Sequence, residues 1–136
     1  MKFMMLVTPH TTKNQGPPPK ELMDAIAIIS EEAVKNHTML GNGGLAPIEQ
    51  STRLRISKGQ LTVTDGPYAE AKEVVGGFAQ FELKSKEEAI EGAVRFMELH
   101  RKYWPEWEGE LQVRQIFGPE DFAAQCLDER SGRKTA

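Results

Sequence analysis

One cysteine in 136 residues, Cys126, excludes an internal disulfide and offers no metal-binding spacing, so a reducing cytoplasm is the expected setting. Histidine is scarce as well. His10, His37 and His100 each stand without a second ligand at metal spacing, and no metal or other cofactor is called for. No apolar run is long enough to span a membrane, and Met1-Lys2-Phe3 leads straight into a strand-like segment; neither a signal peptide nor a transmembrane helix is expected. An excess of one charge is also missing. Lys and Arg total 17 against 20 Asp and Glu, a net -3, which gives no general field for nucleic acid or an anionic membrane. Tyr103, Trp104 and Trp107 cluster without the basic groove that a base-stacking platform needs.

What remains is an ordinary mixture, 39% hydrophobic and 27% charged, at a length that suits one domain. Residues 3–8 are an apolar run ended by Pro9, a strand expected to be buried on both faces. Residues 10–19 form a polar loop long enough to carry function, and its three closing prolines suit the first turn of a helix. Leu22, Ala25, Ile26, Ile29, Ala33 and Val34 then make a helical stripe running to about Asn36. Gly41-Asn42-Gly43-Gly44 reads as the stop of that helix; it lacks the Lys-Ser/Thr of a phosphate loop. After a weak extended segment at 45–48, Leu54, Ile56, Leu61 and Val63 alternate with polar residues about Lys58-Gly59, a hairpin with one apolar face and with Arg53 and Arg55 on the other.

Residues 73–83 read as a longer strand whose Gly76-Gly77 marks a bulge or a close backbone approach. Ser85 and Glu88 have the spacing of a capping box. The helix they open has Ala89, Ile90, Ala93, Val94, Phe96 and Met97 as its expected buried stripe and ends near Tyr103. Trp104 and Trp107 are expected to fold back on the core, followed by a last strand at 111–117 and a short helix at 119–127. The domain is set at 1–122, with 123–136 as a helix end and a disordered polar tail.

That order predicts an α+β chain of ferredoxin-like βαββαβ type with an added β-hairpin, both helices on one face of a mostly antiparallel sheet. The other face would be left bare. Phe78 and Phe81 point apolar groups both ways from one strand, so a second copy is the expected cover and a homodimer follows.

The chain is organised around residues 63–83. There a strand breaks at Asp65-Gly66-Pro67, four ionisable groups follow within nine residues (Asp65, Glu70, Lys72, Glu73), and a second strand leaves. Gly66 is expected in a backbone shape closed to other residues, and Pro67 stiffens the turn. Asp65-Gly66-Pro67-Tyr68-Ala69-Glu70-Ala71-Lys72-Glu73-Val74-Val75-Gly76-Gly77-Phe78 resembles the signature of the YCII-related family in its DGPF-domain branch. Tyr68 stands where Phe is usual, and Ala71 where Thr is usual. The similarity runs over about residues 1–122. It implies two ferredoxin-like sheets facing each other in a dimeric α/β barrel. Shorter relatives carry a His-Asp pair; of that pair only Asp65 has a counterpart here, since neither His10 nor His37 falls within the first helix.

Asp65 therefore has two readings: a general base at the mouth of a cleft, or a turn carboxylate that caps the backbone around Gly66. Lys72 is the second catalytic candidate, flanked by Glu70 and Glu73. Arg53, Arg55, Tyr68, Glu70, Glu73 and His10 are candidates for substrate binding, with a salt-bridged loop at a dimer edge as the structural alternative. By analogy with muconolactone isomerases and small monooxygenases of related barrels, the expected activity is cofactor-independent isomerase- or lyase-type proton transfer on a small organic acid or lactone. The rival is a non-catalytic ligand-binding or regulatory module, since DGPF-type proteins are commonly linked with extracytoplasmic-function sigma factors.

Overall fold

Strand β1 (Lys2–Pro9) lies inside the sheet, antiparallel to β5 (Gly77–Glu82) on one side and to β6 (Gly109–Ile116) on the other. In this computed structural model, which describes residues 1–10, 16–66 and 74–123, β2 (Met39–Gly44) extends the sheet beyond β5 and gives the order β2-β5-β1-β6. Helix α1 (Lys20–Lys35) joins β1 to β2, and α2 (Lys86–Tyr103) joins β5 to β6. Between β2 and β5 come a short 3-10 turn (Ile48–Gln50) and a separate hairpin of β3 (Thr52–Ser57) and β4 (Gln60–Asp65). This is the expected α+β, ferredoxin-like arrangement with an added hairpin.

Strand alternation sorts the side chains. Register sets Phe3 beside Phe81, Met5 between Ala79 and Val113, and Val7 beside Leu111 on one face. The helices cover that face, and Phe3, Met5, Leu22, Ala89 and Ala93 form the core. Met4, Leu6 and Phe78 share the opposite face and are half-buried, so β1 is fully buried on one side only.

Several elements differ from the sequence expectation. Gly41-Asn42-Gly43-Gly44 does not stop α1; it belongs to β2, and the hairpin is an appendage rather than the second strand of the sheet. Glycine's poor strand propensity hides this. Its use here is space, because a Cβ on Gly43 would stand 3.2 Å from the Phe78 ring. The helix ends at Lys35, close to the expected Asn36, and its stop is His37 in the left-handed region (φ 58°). The His37 N–H donates to Val34 O (3.1 Å) and the Thr38 N–H to Ala33 O (2.9 Å), the two bonds of a Schellman end.

In α2 the buried stripe is Ala89, Ala93 and His100, with Phe96 and Met97 half-buried. Ile90 and Val94 are exposed, because at 100° per residue each is turned about 100° from the buried alanine just before it, to the edge of the stripe or beyond. The capping signal holds in part. Ser85 Oγ accepts the Glu88 N–H (3.2 Å), but the Glu88 carboxylate takes the N–H of Lys84 (3.1 Å) instead of closing on Ser85. Strand β5 starts only at Gly77. Gly76 is indeed a close approach: its N–H donates to Val7 O (2.7 Å), its carbonyl accepts from Leu45 N (2.9 Å), and Pro9 leaves no room for a side chain. The last helix is described as far as residue 123, and the tail lies outside the described residues.

Candidate functional site

The sheet and the two helices do not close completely on each other. Between them lies a cleft of about 530 Å³, floored by Met5, Val7, Ala79 and Phe81 and walled by Ile26 and Ile29 of α1 and Phe96 of α2. Small residues make the space: Ala33 on α1, and Gly92 on α2, where a Cβ would be in ordinary contact with the Met5 methyl at 3.8 Å. Ser30, Asn36 and Thr38 bring polar groups to one end, and Glu88 and Glu91 another set from α2. Glu32 and Arg95 join the two helices across the opening at 3.1 Å. Both are more than half exposed, so this pair contributes little to stability and functions as a loose tie. An apolar chamber with a few convergent polar groups suits a compact organic molecule.

The Asp65 turn is built from β3, β4 and the short 3-10 turn. Asp65 closes β4, exposed, and its Oδ1 accepts the Thr52 hydroxyl at 2.9 Å, a side-chain bond across paired strand ends. Ser51 accepts the Gly66 N–H on its carbonyl (2.8 Å) and donates its hydroxyl to Ile48 O (2.6 Å). Gly66 is required for a different reason from the one expected. Its φ is not positive; a Cβ there would run into the Ile48 carbonyl. The turn is thus tied to the 3-10 segment by close backbone contact.

Among the described residues lining the cleft, Asp65, Arg53, Arg55 and His10 do not appear. Arg53, half-buried, and Arg55, exposed, lie on the polar hairpin face opposite Thr64 and Thr62, as the alternation predicts. Lys72, Tyr68, Glu70 and Glu73 lie outside the described residues.

His10 lies elsewhere. Its N–H donates to Glu108 O (3.0 Å) and its Nε2 is 3.7 Å from Glu110. Together with His100, Trp107 and Arg101 it lines a second, more open hollow of about 490 Å³ at the C-terminal end of α2. His100, one of the histidines without a second ligand at metal spacing, is 8% exposed, with the Phe96 and Trp107 ring centres each 4.6 Å from its own. Its place in the i, i+4, i+7, i+11 series with Ala89, Ala93 and Phe96 was the signal that it faces inward. His37 is the exposed stop residue of α1, which accounts for its position without a ligand role. No helix among the described residues is long and apolar enough to cross a membrane, and none of their His, Cys, Asp and Glu side chains form a group of three able to hold a metal ion.

No curated protein resembles the chain closely enough to count as a relative. The YCII-related domain model, in contrast, matches residues 1–96, a span that takes in β1, both sides of the cleft, the hairpin, the Asp65 turn and most of α2. By fold, by signature and by that match over well beyond half its length, the chain belongs to the YCII-related domain family.

Proposed function

We propose that this chain is a DGPF-branch protein that takes a small, largely apolar organic acid or lactone into the cleft between sheet and helices and acts on it without a cofactor. The observation that carries the reading is the cleft itself. A chamber of about 530 Å³ falls within the roughly 300–1,000 Å³ usual for small-molecule sites, and its floor is apolar while Ser30, Asn36, Thr38, Glu88 and Glu91 add polar groups to the lining. The assigned chemistry is proton transfer, with Asp65 kept as the base although it does not line the cleft of its own protomer, so that the reaction requires the Asp65 turn to be brought to the bound molecule. A proton leaves the carbon beside a carbonyl, the resulting charge rests on the carbonyl oxygen, and the proton returns at a neighbouring carbon or a leaving group departs. Such a step needs no redox partner. Lys72, with Arg55 and Arg53, is assigned the positive charge for an anionic end, and Tyr68, Glu70 and Glu73 are assigned to substrate binding. Support for Asp65 comes from its exposed carboxylate on a turn whose next residue is locked against the Ile48 carbonyl.

The working form we assign is a homodimer. Two groups of apolar side chains support it, Met4, Leu6 and Phe78 on the helix-free sheet face and the exposed hairpin residues Leu54, Ile56, Leu61 and Val63, together with the small number of fully buried apolar residues among those described. One observation favours the regulatory alternative: the Asp65 carboxylate also serves a turn-closing bond to Thr52, as a purely structural aspartate would. A thermal-shift screen of small carboxylic acids and lactones, on wild type and Asp65→Asn, separates the two. An enzyme binds a ligand and loses turnover in Asp65→Asn with its melting temperature kept. A sensor binds equally in both proteins and turns nothing over. The absence of stabilisation by any member of the set contradicts both.

A further inference from the structure

Along α2 the residues that line the cleft recur one turn apart: Glu88, then Glu91 and Gly92, then Arg95 and Phe96. Gly92 leaves the middle of this row open beside Met5, and Arg95 stands one turn beyond it, at the opening. Among the described residues that line the cleft, Arg95 is the one cation. Arg53 and Arg55 are not in that lining, so they reach a bound molecule only together with the Asp65 turn.

Arg95 is held lightly. Its Nη2 donates to Glu32 Oε2 at 3.1 Å, and among the described residues Nε and Nη1 have no hydrogen-bond partner. With side chains 58% and 52% exposed, water screens this pair, so exchanging Glu32 for another carboxylate costs little and Glu32 stays hydrated when released. A guanidinium carries five N–H groups in a planar fork that fits a carboxylate through two parallel bonds, a fit that the single-point contact with Glu32 leaves unused. Charge along the row then sets the orientation of a ligand. At about 1.5 Å per residue, Glu91 lies about 6 Å along the axis from Arg95, and Glu88 lies most of a turn farther. An acid group is attracted at the Arg95 end and repelled toward the two glutamates. At the opening it also keeps part of its water, which avoids the cost of burying a charge, while the apolar remainder lies on Met5, Val7, Ala79 and Phe81. Resting on the cleft reading above, we propose that Arg95 is the binding residue for the acid group, which it takes in exchange for Glu32, and that the cleft thereby selects a monocarboxylic acid with a compact apolar body over its neutral analogues.

The test titrates the full chain with cyclohexanecarboxylate and with its neutral isostere, cyclohexanecarboxamide, at about pH 7, where only the former is charged. The Met5 methyl and Gly92 amide resonances report occupancy of the cleft. Wild type is expected to hold the carboxylate about tenfold more tightly than the amide, with the gap narrowing as salt is raised. Arg95→Gln keeps the amide affinity and brings the carboxylate down to it. Glu32→Gln breaks the same tie between the helices but frees the guanidinium, so it keeps or increases the preference; a role confined to joining the helices would make the two variants alike. Both side chains are more than half exposed, so both variants are expected to fold. The assignment is overturned by equal or tighter binding of the amide to wild type, by a carboxylate preference that survives Arg95→Gln, or by one that is lost in Glu32→Gln. In each of these cases the probes still move Met5 and Gly92, and the cleft reading stands. Binding of neither probe, or binding that leaves those resonances unmoved, overturns the assignment and contradicts the cleft reading as well.

Discussion

The sheet-and-helix body and the β3-β4 hairpin carry the same alternating pattern and end in opposite environments. In β1, Phe3 and Met5 alternate with Met4 and Leu6, and Phe3 is 1% exposed beneath the helices. In the hairpin, Leu54 faces Val63 and Ile56 faces Leu61, an apolar quartet in register, yet these residues are 61–75% exposed. Alternation tells which side chains share a face. It does not tell what covers that face. A free two-stranded hairpin is marginal in water, and an apolar face of this kind is normally covered, which is why we assign the cover to a second copy.

The largest expected effect sharpens this contrast directly. Phe3→Ala should cost about 3–5 kcal/mol in a urea melt, since it empties a closed position beside Phe81. Ile56→Thr should change the melt of the isolated protomer by no more than about 0.5 kcal/mol and should instead weaken self-association in sedimentation. A large loss from Ile56→Thr at concentrations where only protomer exists would break the comparison. Next comes Gly66→Ala, expected to cost about 1–3 kcal/mol because the new methyl meets the Ile48 carbonyl, and seen as faster amide exchange at Ser51 and Gly66. Ser85→Ala removes the side-chain cap of α2 and should lose about 1 kcal/mol. The smallest effect has the opposite sign. His37→Gly relieves a left-handed residue at the end of α1 and should gain about 0.5–1 kcal/mol.

The fold was readable from sequence where side chains carry it. Leu22, Ala89 and Ala93 lie where helical spacing puts them, and Lys58-Gly59, with φ of 52° and 77°, makes the tight turn that joins β3 to β4. It was unreadable where backbone proximity carries it. Gly43 serves as sheet edge under Phe78, and Gly66 fits against a carbonyl; in each case glycine was taken for a conformational signal when the demand was for room. The site divides in the same way. Asp65 and the two arginines stand at the ends and on the polar face the alternation assigns them. The cleft depends on the small residues Ala33 and Gly92 and on helix separation, which no local pattern records.

The central claim is that the space between sheet and helices is where a ligand sits. Gly92→Leu fills it from α2, growing a side chain over Met5 without touching the Asp65 turn. Calorimetric titration with the strongest acid or lactone from the screen should show binding to wild type and a loss of at least about tenfold in the filled variant at an unchanged fold. Undiminished affinity in Gly92→Leu would place the ligand elsewhere and contradict the account.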